Sequence, residues 1–199
     1  IAVGIVKDGK LIHAKGYGVR SMNNKQAVDA HTLFGIASNS KAFTSAAIGM
    51  LVDEGKIKLD DKVRDYIPEF KLYDPFVTED FRIRDLLTHR CGLGLGAGDL
   101  MFFPDSAVFS VNDAIYNLRF LKPESPFRTK FQYNNLMFIT AGELIHRVSG
   151  KSWFDFIEER FFKPLGMTES HAQFNRIKDK SNMIEPHAIC DKKLQVITH

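Results

Sequence analysis

The chain has 199 residues, 44% of them hydrophobic and 26% charged, with a formal net charge of +3. That is an ordinary globular composition, long enough for one sizeable core. Basic residues are interleaved with acidic ones, as in Lys56-Ile57-Lys58-Leu59-Asp60-Asp61-Lys62, which argues against a nucleic-acid partner, and no apolar run approaches the ~20 residues of a membrane span.

In chain order, residues 1–20 read as a β-hairpin. Ile1, Val3 and Ile5 alternate, Asp8-Gly9 supplies a two-residue turn, and Leu11 to Val19 returns. A lone hairpin is marginal in water, so further strands or a helix should cover it. From Ser38 to Glu54 the pattern is helical and apolar on nearly every face, which predicts a helix buried almost all round and ended by Gly55. Short helices follow at Val63–Tyr66 and over 83–89, ahead of a glycine-rich loop.

Ser110 with Asp113 predicts a capped helix to about Leu118. Asn134 to Val148 is amphipathic with Gly150 just beyond, and Ser152 with Asp155 caps another helix that stops before Pro164. The stretch 168–199 is weakly patterned, with a strand beginning near Leu194–Ile197. The chain therefore reads as one α+β domain: a hairpin over 1–20, a mostly helical lobe over 21–190, and the start of a returning strand.

Ser38-Asn39-Ser40-Lys41 is the strongest chemical signal. Three residues along an α-helix turn about 300° and rise about 4.5 Å, so Ser38 and Lys41 share a face. A neutral lysine amine there can take the proton of a serine hydroxyl. At an ordinary pKa of ~10.4 that neutral form costs about 4.6 kcal/mol at pH 7. An apolar setting and the positive end of a helix dipole would both reduce the cost. The competing reading is that Ser-x-x-Lys arises by chance and Ser38 merely caps a helix. Tyr133-Asn134-Asn135 is the second signal: a phenol can relay a proton and an amide can bind a substrate amide, although an Asn there also serves as a helix cap.

Five stretches, in this order, resemble the serine β-lactamase and penicillin-binding protein superfamily. They are residues 34–41, 51–61, 83–93 and 131–135, and Pro164-Leu165-Gly166-Met167. The pattern is closest to the branch of class C β-lactamases, D,D-peptidases and lactamase-fold esterases, which uses Tyr-x-Asn. The resemblance implies a β-lactamase/transpeptidase-like α+β fold. It makes Ser38 the acylated nucleophile, Lys41 its base shared with Tyr133, and Asn135 the holder of the substrate amide. The backbone N–H of Ser38 becomes half of the oxyanion hole.

The implied activity is hydrolysis of an amide, β-lactam or ester through an acyl-enzyme, on a small-molecule or peptide substrate, without cofactor or metal. Extracytoplasmic location, periplasmic or secreted, accords with the resemblance. The alternative is a non-catalytic sensor binding a β-lactam or cell-wall peptide on the same scaffold. The family's third motif, Lys-Thr-Gly or His-x-Gly, has no counterpart here; Lys7-Asp8-Gly9 fits a hairpin turn. The sequence thus reads as truncated before its C-terminal strands. One oxyanion donor is worth on the order of 100- to 1000-fold in turnover, so such a fragment should be nearly inactive unless a partner chain supplies the strands.

Other patterns carry less. Gly92–Gly98 contains a GxGxxA match, but it follows a helix rather than a strand. Glu143 and His146 occur as one ExxH, which reads as a surface pair. Ser110-Val111-Asn112 rivals Tyr-x-Asn but is better explained as a cap. Cys91 and Cys190 have no metal or redox spacing.

Overall fold

The computed structural model describes residues 1–103 and 107–197. The chain forms two compact units, Ile1–Ala37 with Phe162–His199, and Ser38–Phe161.

In the first unit, β1 (Ala2–Lys7) and β2 (Lys10–Gly16) pair antiparallel, with a register shift between Ile5 and Val6. Asp8 and Gly9 both take positive φ, 49° and 72°, the primed turn that matches strand twist. Gly16 is required where β2 ends, because a Cβ there would stand 2.2 Å from the carbonyl oxygen of Val28. A second hairpin, β3 (His187–Cys190) with β4 (Lys193–Val196), turns at Asp191-Lys192. The strand expected near 194–197 is therefore β4, and its partner β3 lacked any readable alternation. Each sheet has two strands. Leu33 ties the unit together through backbone bonds with Asn182 (2.8 Å) and Ile184 (3.0 Å).

The second unit is helical. Its helices are α1 (Ser40–Asp53), α2 (Val63–Tyr66), α3 (Pro75–Asp80), α4 (Ile83–Leu86), α5 (Val111–Asn117), α6 (Leu136–Ser149) and α7 (Trp153–Ile157). Helix α6 is the hub: α1, α2, α4, α5 and α7 all pack on it. Met137, Ala141, Leu144 and Ile145 put its apolar stripe into the core. Ser110 caps α5 as expected, its Oγ accepting from the Asp113 N–H at 3.1 Å while Asp113 accepts from the Ser110 N–H at 2.8 Å. Gly150, at φ 72°, closes α6. A π-helical turn over Glu158–Phe162 follows α7.

Helix α1 departs from expectation: it is buried on one stripe, Thr44, Ala47, Ile48 and Leu51, while Ala42 and Ala46 are exposed. The stripe has the i, i+3, i+4, i+7 spacing of an ordinary amphipathic helix. The opposite face looked buried because it is rich in alanine, whose exposure costs little. Trp153 of α7 fastens α1 by donating its Nε1–H to Thr44 Oγ1 at 3.0 Å.

Candidate active site

The backbone makes a sharp entry into α1. Ala37–Asn39 is a 3-10 turn, and Ala37 lies in the left-handed region at φ 44°. That conformation costs a non-glycine residue about 1–2 kcal/mol, and it places Ser38 on the surface just ahead of α1. Lys41 stands in the first turn of the helix, half-buried.

Ser38, Lys41 and Tyr133 meet. Lys41 Nζ donates to Ser38 Oγ at 3.0 Å and the Tyr133 phenol donates to the same Oγ at 2.5 Å. Two donors converging on one hydroxyl oxygen suit the negative charge it carries when deprotonated. Lys41 also lies 4.7 Å from the Tyr133 ring centroid. Burial pushes the phenol pKa up, but hydrogen bonding with Lys41 and Ser38, together with the Lys41 charge, outweighs it. The net pKa lies below the ordinary value of 10.0.

The Asn pair divides its labour. Asn134 is fully buried; its Oδ1 accepts from the Met137 N–H at 3.3 Å, as a helix cap does, and its Nδ2 donates to the Ala97 carbonyl at 3.2 Å. The capping role that weakened Tyr-x-Asn in the sequence thus falls to Asn134. Asn135 is left to face the site. Its Oδ1 accepts from Lys41 at 2.7 Å, and its Nδ2 donates to both carboxylate oxygens of Asp99 at 3.1 Å. The amide expected to hold substrate is therefore bonded at both ends within the chain.

Three supports of the site escaped the sequence reading. His89, left-handed at φ 55°, stacks on Tyr133 with ring centroids 4.5 Å apart. Its Nδ1 accepts from the Asn134 N–H at 3.2 Å, so that nitrogen is unprotonated. Burial first, then the charge of Lys41, lowers its pKa below 6.5. Asp99 follows directly on the glycine-rich loop that had been set aside. The third support is a clasp between residues 80–94 and 124–133. Arg128 bonds Asp85 through Nε (2.9 Å) and Nη2 (2.7 Å), and Asp80 through Nη1 (2.6 Å). Backbone bonds run from Arg128 to Arg90 (2.8 Å), Glu124 to Gly92 (2.8 Å) and Gln132 to His89 (2.7 Å). Gly92, at φ 93°, is needed because a Cβ would lie 2.6 Å from the Ser125 carbonyl oxygen. The clasp delivers Tyr133 to the nucleophile from 95 positions away.

The model of the family described as Beta-lactamase matches residues 1–185. The chain belongs to the beta-lactamase family. Among curated relatives it is similar to an unguisins hydrolase of Aspergillus campestris, 33% identical over 171 residues that make up 83% of this chain and 32% of that protein. It is also similar to Protein flp of Staphylococcus aureus, 32% identical over 180 residues, 89% of this chain and 35% of that one. Among solved structures it resembles the octameric penicillin-binding protein homologue of Pyrococcus abyssi, with a TM-score of 0.83 and 27% identity. That match covers 99% of this chain and 47% of the other. The chain thus spans about a third of the length of these curated relatives and about half of the structural one.

The remaining signals of this beta-lactamase-family chain resolve simply. His146 Nδ1 lies 3.3 Å from Glu143 and Arg147 Nε bonds the same carboxylate at 2.6 Å, the surface pairing expected of that ExxH. Cys91 is buried, its thiol pKa raised chiefly by desolvation, and Cys190 is exposed; both are free thiols.

Proposed function

We propose that this chain carries the nucleophilic centre of a serine hydrolase acting through an acyl-enzyme on an amide, β-lactam or ester. The observation that carries the reading is the convergence of Lys41 Nζ and the Tyr133 phenol on Ser38 Oγ, at 3.0 and 2.5 Å. Ser38 Oγ attacks the carbonyl carbon and gives its proton to the Lys41–Tyr133 pair. The tetrahedral oxyanion collapses, the bond to the leaving nitrogen or oxygen breaks, and the pair returns the proton to that atom. Water then attacks the Ser38 ester by the same route in reverse and releases the acid. Tyr133, with its lowered pKa, can serve as the atom through which the proton passes.

The test is covalent. A fluorophosphonate probe should add one mass increment to the full-length protein, localised to Ser38 by peptide mapping and absent from Ser38→Ala. Lys41→Met should slow labelling on the order of a hundredfold or more. An adduct elsewhere, or labelling unaffected by either substitution, would sink the proposal. Substrate arriving at this site, and strands contributed by a partner chain, belong to the same reading; a non-catalytic sensor would bind such ligands without acylation.

A further inference from the structure

We infer that His89 is a positioning residue for proton transfer at Ser38 and that it serves only as the neutral imidazole, so that protonating this ring releases Tyr133 and turns the centre off in acid. The effect on chemistry rests on the acyl-enzyme reading above. The coupling between the ring and Tyr133 does not.

The first argument is a hydrogen bond that acid removes. His89 Nδ1 accepts from the Asn134 N–H at 3.2 Å, the amide that immediately follows Tyr133 in the chain. Asn134 is fully buried, so water is not at hand to replace the acceptor. An imidazolium donates from both nitrogens. No rotation of the ring then restores an acceptor, and two N–H groups oppose each other where a bond stood. Leaving a buried donor without a partner is costly. The segment escapes that cost by moving off the ring, and Tyr133 moves with it.

The second argument is charge. The imidazole packs among three rings, Tyr133 at 4.5 Å, Phe138 at 5.1 Å and Phe131, edge-on, at 5.4 Å between centroids. Aromatic faces attract a cation, but Lys41 Nζ already lies over two of the same rings, 4.7 Å from the Tyr133 centroid and 5.6 Å from that of Phe138. An imidazolium would be a second cation on a pair that holds one. The surroundings offer no compensating anion. Helix α1 brings Lys41, the 131–135 segment brings the Tyr133 phenol, and α6 brings the uncharged Phe138. On the ring's own segment Arg90 is adjacent, and Asp85 is paired with Arg128; Asp99 is bonded to Asn135. Among the described residues the histidines paired with a carboxylate are His31 and His146. Burial, and after it the Lys41 charge, accordingly holds the His89 pKa below 6.5.

The seated Tyr133 thus opposes protonation of the ring, and a released segment with its imidazole in water does not. By linkage the proton favours the released form. The seated form is full above the folded midpoint and declines about tenfold per pH unit below it.

The experiment is the pH dependence of fluorophosphonate labelling of Ser38 between pH 8 and 5, in the full-length protein and two variants, with circular dichroism showing that each is folded throughout. His89→Asn sets an amide oxygen where Nδ1 stood, tolerates the left-handed φ of 55° and does not titrate. His89→Phe keeps the stacking and removes the acceptor. Dividing the unsubstituted rate by the His89→Asn rate cancels the pH dependence that Lys41 and Tyr133 themselves contribute. That quotient should be level above pH 7 and fall about tenfold per pH unit below the midpoint. His89→Phe should label about tenfold or more slowly than His89→Asn at every pH, as expected of a misplaced phenol. A quotient that stays level to pH 5, or His89→Phe labelling as fast as His89→Asn, would overturn the inference. A readout free of chemistry comes from NMR of the Ser38→Ala full-length protein with labelled histidine and tyrosine rings, the two signals assigned by their loss in His89→Asn and Tyr133→Phe. Nuclear Overhauser contacts between the His89 and Tyr133 rings should be present at pH 8 and vanish as His89 titrates; contacts that persist in the imidazolium form refute the release. Vanishing contacts with no Ser38 labelling at any pH remove the acyl-enzyme reading and leave the coupling, whereas labelling with persistent contacts does the reverse.

Discussion

Replacing Arg128 by methionine asks whether the clasp behind Tyr133 is held by charge. Asp85 has only 5% of its side chain exposed, and the Arg128 guanidinium meets it with two bonds, at 2.9 and 2.7 Å. Truncation leaves that carboxylate with the Arg82 N–H, at 2.9 Å, as its remaining donor. Removing the cation of a buried pair costs about 3–5 kcal/mol. The Arg128 side chain is 38% exposed, so water reaches Asp85 once it is gone, and about 2–3 kcal/mol is expected. In a chain of this length that lowers Tm by roughly 4–12 °C. Asp85→Asn should cost only about 1 kcal/mol, because its amide oxygen can still accept from Arg82 while Arg128 keeps Asp80 and solvent. The double variant should therefore be more stable than Arg128→Met alone. Urea melts of all three decide it: Arg128→Met no worse than Asp85→Asn, or strict additivity, would refute the reasoning. Acid supplies a second check. Arg128, and after it Arg82, holds Asp80 below the usual carboxylate range. The stability this brings is present above the unfolded value and is lost as pH falls through the lower folded one. Arg128→Met should flatten that acid limb.

Tyr133→Phe removes the phenol from Ser38 but keeps the ring against His89; Ser38 labelling should fall about a hundredfold with little change in Tm. In the parent protein the alkaline limb of the labelling-rate profile should lie below pH 10, since the phenol pKa is lowered, and a limb above it would contradict the shift. Gly98→Ala forces a φ of 83° on alanine and sets a Cβ 2.4 Å from Leu136 Cδ1; a loss of about 2–4 kcal/mol by denaturant titration is expected. His89 has a folded pKa below its unfolded one, so the unfolded chain binds the extra proton first. Stability is then full above the unfolded value of about 6.5 and declines as pH falls below it, and His89→Phe should reduce that slope in melts between pH 7 and 5.

The sequence made legible whatever was written in local chemistry. The Asp8-Gly9 turn, the Ser110 and Ser152 caps and the Gly150 stop need only neighbours within four residues, and each stands where it was expected. Ser38 and Lys41 were visible for the same reason, one helical turn apart. Tyr133 and Asn135 were found only because their order along the chain resembles a family, since nothing local joins residue 133 to residue 38. The errors share a cause as well. The exposed face of α1 is written in alanine, which reads as core by hydropathy yet exposes little apolar area. Strand β3 lacked alternation, and the side chains of Asp99 and Arg128 find their partners 36, 43 and 48 positions away.

Those long-range partners explain why the proton-transfer group can be precise although it sits on a surface. Ser38 is exposed and lies in the 3-10 turn ahead of α1 rather than within the helix. The rigidity comes from the other side: Tyr133 is fixed by the His89 ring, by the Gln132–His89 backbone bond and by the pairing of Arg128 with the buried Asp85 carboxylate. Lys41 is fixed through α1 by the Trp153–Thr44 bond and through Asn135 by Asp99. Two separately braced donors define one point in space, and Ser38 Oγ stands on it. Loosening either brace misplaces a donor by a fraction of an ångström, enough to lose a 2.5 Å contact while the helical core stays folded. Clasp variants should therefore slow Ser38 labelling by a larger factor than their stability loss alone would suggest, whereas substitutions of equal cost at the far end of α6 should leave labelling of the folded protein unchanged.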